Sequence, residues 1–484
     1  MQSHKRIFIF AILLFALISL NAQDFFNISG DNQAKYIYRV AEDSLSNYFN
    51  DELNFTINYN NITLGMGFKA NLPKYDQYQA IDELRPANIS HEWTDRYIAY
   101  DKDEYYLQAG TFEEAFGAGI TLRAWNDRDN DRDKRLDGAL IRYSPGFVNL
   151  KILYGAVKND IADQQIFRND VIAGIDSEIN ILSGLKLGAG LVQYKQKEAT
   201  ANYLKYSHRN IYSGRASVIN DLLSIDAEYA EMRYEHNVPS TYRGHAFYNS
   251  NNFFLGDFTF NIAYKKYYKY NYNFADLPSL NHYDQLLSSI ASLNTEEGIS
   301  SEISYMPNFA NEFTIHYSEA WNENFKIRFA NLFTEYKYNN DNYGLQTEFE
   351  QIETKDQPAN NWEKEMTPGA TVDFYNFMLP LTVKAKWGVK KQKQGEDDIT
   401  LQQPFLQADV KLNSWLAFSI ISEFEFNDDV SDTWLGAELK TNISEHSELK
   451  LFAGKEKGGK VCRNGVCKYQ TPFEGVRIEL STNF

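Results

Sequence analysis

The sequence predicts an all-β fold, a single transmembrane antiparallel β-barrel of about 24 strands (22 to 26) with both termini in the periplasm. Three observations predict it. Apolar and polar residues alternate with a period of two along most of the chain. The chain opens on an export-type leader and closes on an aromatic residue. Its composition is rich in aromatics, with 33 Tyr, 33 Phe and 7 Trp, yet its mean hydropathy is −0.50. A helical membrane protein does not combine those properties. A barrel does, because only every second residue of a strand meets lipid.

The leader comes first. Lys5 and Arg6 precede an apolar run from Ile7 to Leu20, broken by Ser19. That run is shorter than the ~20 residues a spanning helix needs. Ala22 suits the −1 position of a cleavage site, so residues 1–22 are read as a signal peptide and 23–484 as one barrel domain. Removing Lys5 and Arg6 lowers the basic count from 48 to 46 against 65 acids, a net charge of −19. Such a charge argues against nucleic-acid binding. No later stretch is apolar for 18 residues, so no second helical span is expected.

The strands follow. Leu53, Phe55, Ile57 and Tyr59 alternate with Asn54, Thr56 and Asn58. Leu381, Val383, Ala385, Trp387 and Val389 alternate with Thr382, Lys384, Lys386, Gly388 and Lys390. Short turns are expected near Asn60-Asn61, Asp101–Glu104, Ser144–Gly146, Ile181–Gly184, Asn220-Asp221, Leu255–Asp257, Asn308–Asn311, Asn339–Asn342, Met378–Pro380, Asn413-Ser414 and Ser444–Ser447. Long connections are expected at about 73–92, 157–168, 196–208, 270–292, 354–365, 391–401 and 457–469. Two others, near Trp321–Asn324 and Phe426–Ser431, are short.

In the last strand Val476, Ile478, Leu480 and Phe484 form one apolar face, and the terminal Phe484 resembles the signal read by barrel-insertion machinery. The opposite parity gives the lumen set: Lys384, Lys386, Asp409, Lys411, Glu423, Glu425, Arg477 and Glu479. Opposite charges on adjacent strands pair across the ladder, and this mixture of signs selects neither anions nor cations. Cys462 and Cys467 flank Arg463-Asn464-Gly465-Val466. Asn-Gly is the type I′ hairpin pair. It sets the two cysteines opposite each other at a non-hydrogen-bonded position, within disulfide reach. An exported chain favours that bond.

One segment breaks the pattern. Gly110 to Trp125 is too long and too rich in glycine for a plain strand. Gly117 and Gly119 favour a bulged, bent strand. The alternative is an inward fold in which Phe112, Glu113, Glu114 and Phe116 constrict the lumen, with both glutamates facing the pore. A nucleotide-binding loop is excluded by the lack of βαβ context. Asp127, Asp129 and Asp131 in the following loop hint at calcium. The EF-hand pattern fails at Arg132 and Gly138, so a solvated or lipopolysaccharide-facing loop is the better reading. No cofactor is implied. The histidines are scattered and no Gly-x-Ser-x-Gly elbow exists, so no enzyme is expected. His316, mid-strand, is the one candidate partner for a serine of phospholipase type, and a lumen hydrogen-bonder is its simpler role.

The leader, the Phe116–Ala124 stretch Phe-Gly-x-Gly-x-x-Leu-Arg-Ala, the Cys-Arg-Asn-Gly-Val-Cys hairpin and the terminal strand together resemble an uncharacterised outer-membrane barrel family of Bacteroidota. The resemblance implies an outer-membrane location in a Gram-negative envelope and adds no catalytic residue. Two functions follow as expectations: a passive or gated porin-like channel for small hydrophilic solutes, or a structural subunit of a secretion or biogenesis complex. Partners are then the bilayer, lipopolysaccharide, the insertion machinery and other envelope proteins. An energised TonB-type transporter is disfavoured, since no plug-sized domain precedes the first strand.

Overall fold

A computed structural model describes residues 26–40, 47–72, 91–127, 132–158, 169–200, 203–235, 242–270, 274–282, 295–322, 327–356, 361–376, 378–394, 397–427, 431–463, 466–470 and 472–484. Among them no helix is long and apolar enough to cross a membrane, which leaves spanning by strands open.

Twenty-four strands form one antiparallel sheet. Each pairs with the barrel strand before it and the one after it. The first, Asn27–Arg39, pairs with the last, Phe473–Asn483, from Asp31↔Asn483 to Arg39↔Gly475. The sheet therefore has no free edge, and every strand finds backbone partners on both sides. Phe484 completes the seam: its amide donates to the Gly30 carbonyl at 3.0 Å, and the Gly30 amide donates back at 2.8 Å.

All eleven short turns read from the sequence fall between paired strands. Asn and Gly take the positive φ that such turns require, for example Asn60 at 51° and Gly184 at 85°. Three expected long connections are shorter than their polarity suggested. Pairing runs on to Thr200↔Tyr203, Asp356↔Asn361 and Gln394↔Asp397. Strands that extend past an apolar belt are wet on both faces, so they lose the alternation by which sequence recognises a strand.

The two faces differ chemically. One carries exposed apolar side chains around the whole barrel, among them Ile98, Ile152, Ile175, Leu191, Ile262, Ile315, Ile420 and Leu435. The other carries the charges and amides. Closure makes the first face the outside. The period of two then sends the predicted lumen set inward, on the parity opposite Trp387, Leu406, Ile420 and Val476.

Six further short strands form three ribbons outside the main sheet. One joins Gly459–Arg463 to Val466–Gln470 and pairs Cys462 with Cys467 in register. Their side chains lie outside the described residues. So do the leader and Asp129 and Asp131, together with the side chain of Asp127.

Candidate functional site

The chain between the strands Tyr105–Phe112 and Leu136–Tyr143 does not continue as a bulged strand. The wall closes without it, since Phe112 pairs directly with Leu136. Residues 114–124 turn inward. Glu114–Phe116 pairs with Leu122–Ala124 in a small ribbon of its own. Phe116, Ile120 and Leu122 are completely buried. They pack on Leu140, Leu153, Ile172, Val192, Ile211, Ala230 and Met232, which face inward from successive strands.

That inner wall is apolar because it is covered. Leu153 and Ile172 alternate with the outward Ile152 and Ile175, so these strands carry apolar residues on both faces. Such two-sided strands mark a sheet buried on both sides. Gly174 permits the approach: a Cβ there would meet the Phe116 ring at 2.9 Å.

Polar anchors fix the ribbon to the wall. The Glu228 carboxylate, inward on Leu223–Glu235, accepts from the Ala118 amide at 2.7 Å and from the Thr121 hydroxyl at 2.9 Å. Glu114 receives Arg142 at 2.7 Å and Lys151 at 2.9 Å. It therefore points at the wall rather than the pore, while Glu113 accepts from the Asn126 amide. Nearby, Arg215 clamps Asp176 with two bonds, at 2.6 and 2.7 Å.

A second inward segment, within the long connection expected at about 270–292, completes the filling. After the strand Phe258–Tyr268 the chain enters the lumen at Tyr270 and Phe274, both buried. The two segments hold each other. The Arg123 amide donates to the Phe274 carbonyl at 2.7 Å, and the Asp276 amide to the Gly119 carbonyl at 3.0 Å. Arg123 and Asp276 also form an ion pair. The Tyr270 hydroxyl donates to the Ile120 carbonyl at 3.1 Å, and burial holds that phenol well above its usual pKa. At His282, the last described residue of this stretch, the ring stacks on inward Phe333 at 3.7 Å and the amide donates to Asn331. The filling thus spans roughly half of the wall, from Tyr105–Phe112 to Ile327–Asn339.

Gly117 is the tightest point of this assembly. Its φ is +57°, and a Cβ would lie 2.4 Å from Glu228 Oε2. Gly117→Ala is expected to cost about 1–2 kcal/mol of local stability from the left-handed backbone alone. Hydrogen exchange at the Ala118 amide should accelerate about tenfold in that variant, and an unchanged rate would contradict the anchor.

The other half of the lumen is polar and mostly partly exposed. Lys386 pairs with Glu348. Asp409 accepts from Gln407 at 2.8 Å, and Lys384 and Lys411 lie on the same inner parity. Arg477 is buried and pinned: it bonds Glu456 at 2.9 Å and Glu479 at 3.1 Å and lies over the Phe452 and Phe473 rings. Lys457 draws Glu425 to 2.8 Å and Glu423 to 3.3 Å. Lys390 holds Glu363 at 3.0 Å, with Glu365 beside them. Four carboxylates therefore share two lysines at the end of the lumen that carries the long connections.

His316 Nδ1 lies 3.3 Å from Glu302, and Nε2 meets no protein partner among the described residues. Ser318 Oγ, on the same face, is fully enclosed.

No curated protein matches the sequence. Among solved structures, the E. coli P pilus tip assembly intermediate PapC-PapD-PapK-PapG aligns with a TM-score of 0.55 and 9% identity, over 95% of this chain and 60% of that chain. The siderophore receptor PirA from Pseudomonas aeruginosa aligns with a TM-score of 0.49 and 8% identity, over 95% and 80%. The P pilus usher PapC translocation pore gives 0.46 and 9%, over 95% and 99%. At such identities the likeness bears on the fold alone. A family model matches residues 4–350, most of the chain, and the chain belongs to that family, the family of unknown function DUF6029.

Proposed function

We propose that the protein is an outer-membrane channel for small hydrophilic solutes, with a conduit confined to one half of its lumen. The observation that carries this reading is the division of the inner wall. One half carries the apolar patch from Leu140 to Met232, with its charges paired, and is covered by residues 113–127, 270 and 274–282. The other is lined by partly exposed charges and amides, as a water-filled path requires. Short turns face the periplasm with both termini, the leader is cleaved after Ala22, and Cys462 and Cys467 form a disulfide in the outer ribbon. Val476, Ile478, Leu480 and Phe484 guide insertion, and the source is a member of the Bacteroidota. His316 serves as a lumen hydrogen-bonder rather than in catalysis.

Purified full-length protein in planar bilayers tests the reading. Steady ion conductance is expected. Glu363, Glu365, Glu423 and Glu425 outnumber Lys390 and Lys457 at one mouth, so the reversal potential in a salt gradient should show a modest preference for cations. Glu423→Gln with Glu425→Gln should reduce that preference. A silent barrel, or an anion preference, would contradict it.

A second reading, a partner subunit of an envelope complex, is supported by the short-turn end. Five successive turns there present exposed apolar tips: Phe147, Leu182, Leu222, Leu255 and Phe309. Solvated turns rarely expose such residues together. A barrel that stays silent while co-purifying with another envelope protein would favour this role.

A further inference from the structure

On the inner wall, like charges that face each other receive a counter-charge from the chain. Lys440 stands opposite Lys450, and Glu448 bonds both, at 2.7 and 3.1 Å. Glu335 stands opposite Glu348, with Lys337 on the first and Lys386 on the second.

The outer wall departs from this near the long connections. Arg233 stands directly opposite Arg243. Their chain neighbours Met232 and Gly244 are buried on the inner side, so both arginines face outward. Arg233 Nε donates to Glu231 at 2.8 Å. Arg243 is exposed and feels the same Glu231, but makes no ion pair of its own among the described residues. Directly opposed like charges destabilise a ladder, and unpaired charge beside hydrocarbon costs more still. Glu231 bonds only one of the two guanidiniums, and Arg243 can take an anion from outside the chain.

The surroundings identify it. Arg233 and Arg243 lie within two residues of their strand ends, at the rim of the apolar belt. Tyr212 lies under the Arg233 guanidinium at 5.2 Å. His245 stacks on Tyr268 at 5.2 Å, and Lys269 lies over the same ring. Lys266 adds a cation bonded to Glu297. Below them the outward face continues as Leu191, Tyr229 and Ile262, all exposed.

We propose that this patch binds the phosphate of a membrane lipid headgroup, with the acyl chains on the apolar face beneath. A lipid suits the site better than a free anion, because cations and apolar belt form one continuous outward surface. The inference rests on the membrane-barrel reading and is independent of conduction.

Native mass spectrometry of the full-length protein from detergent tests it, with lipid A, dephosphorylated lipid A and inorganic phosphate as separate probes. Lipid A is expected to bind, and the dephosphorylated form to bind more weakly. Arg243→Gln should lower lipid A affinity about fivefold, the weight of one basic residue at a membrane surface, and Arg243→Lys should keep most of it. Equal binding of the two lipids, an unaltered affinity in Arg243→Gln, or full competition by inorganic phosphate would overturn the proposal. Failure of the membrane reading itself would show separately, as a protein that stays soluble without detergent.

Discussion

Phe116→Ala is expected to release the inward ribbon while leaving the barrel closed. The Phe116 ring is completely buried and lies against Gly174. Removing it leaves a cavity between two surfaces that cannot collapse together, because the wall is held by its own ladder. Such truncations cost about 3–5 kcal/mol. The loss falls on a local unit, since the ribbon's backbone pairs with no strand of the twenty-four-strand sheet and is held to it through side chains. Amides of residues 114–124 should exchange about a hundredfold faster. The strand amides and the heat-modifiable migration of the folded barrel should be unchanged. Parallel loss of both would mean that the ribbon is part of the barrel's folding unit.

The second large effect is on conductance. Phe112 and Leu136 are register partners, so residues 113–135 can be replaced by a two-residue Asn-Gly turn without moving either strand. Half of the lumen then loses its main cover. Conductance is expected to rise roughly twofold, in proportion to the opened cross-section. The newly wet Leu140, Leu153, Ile172 and Met232 should make the variant bind apolar dyes. A folded variant with unaltered conductance would show that the ribbon lies outside the ion path.

The barrel was legible in the sequence because its two determinants are local. Alternation at Leu381–Val389 and turn chemistry at Asn60-Asn61 or Asn220-Asp221 need no knowledge of distant residues, and strand parity then assigned Lys386, Asp409, Glu423 and Arg477 to the inner face. The filling was harder to read. Glycine at 117 favours a bulge over the inward fold at Phe112–Phe116, but it instead makes room for Glu228, more than a hundred residues away. The inward alternative points Glu114 at the pore, yet Arg142 and Lys151 draw it to the wall. The segment at Tyr270–His282 gave no periodic signal at all. One clue was present: Leu153 beside Ile152, and Ile172 beside Val171, are apolar on both faces. A strand that meets lipid on one side and water on the other has no reason to be so, and that doubled pattern points to something packed inside.

The packing of that ribbon against the inner wall is open to direct measurement. A Cβ at Gly190 would lie 3.7 Å from Thr121 Cγ2, so a Thr121→Cys, Gly190→Cys pair falls within disulfide reach. In protein inserted into membranes, mild oxidation should join the two cysteines, and neither should react with a soluble maleimide beforehand. Two cysteines that stay separate and label freely would place the ribbon away from the wall and contradict the half-filled lumen.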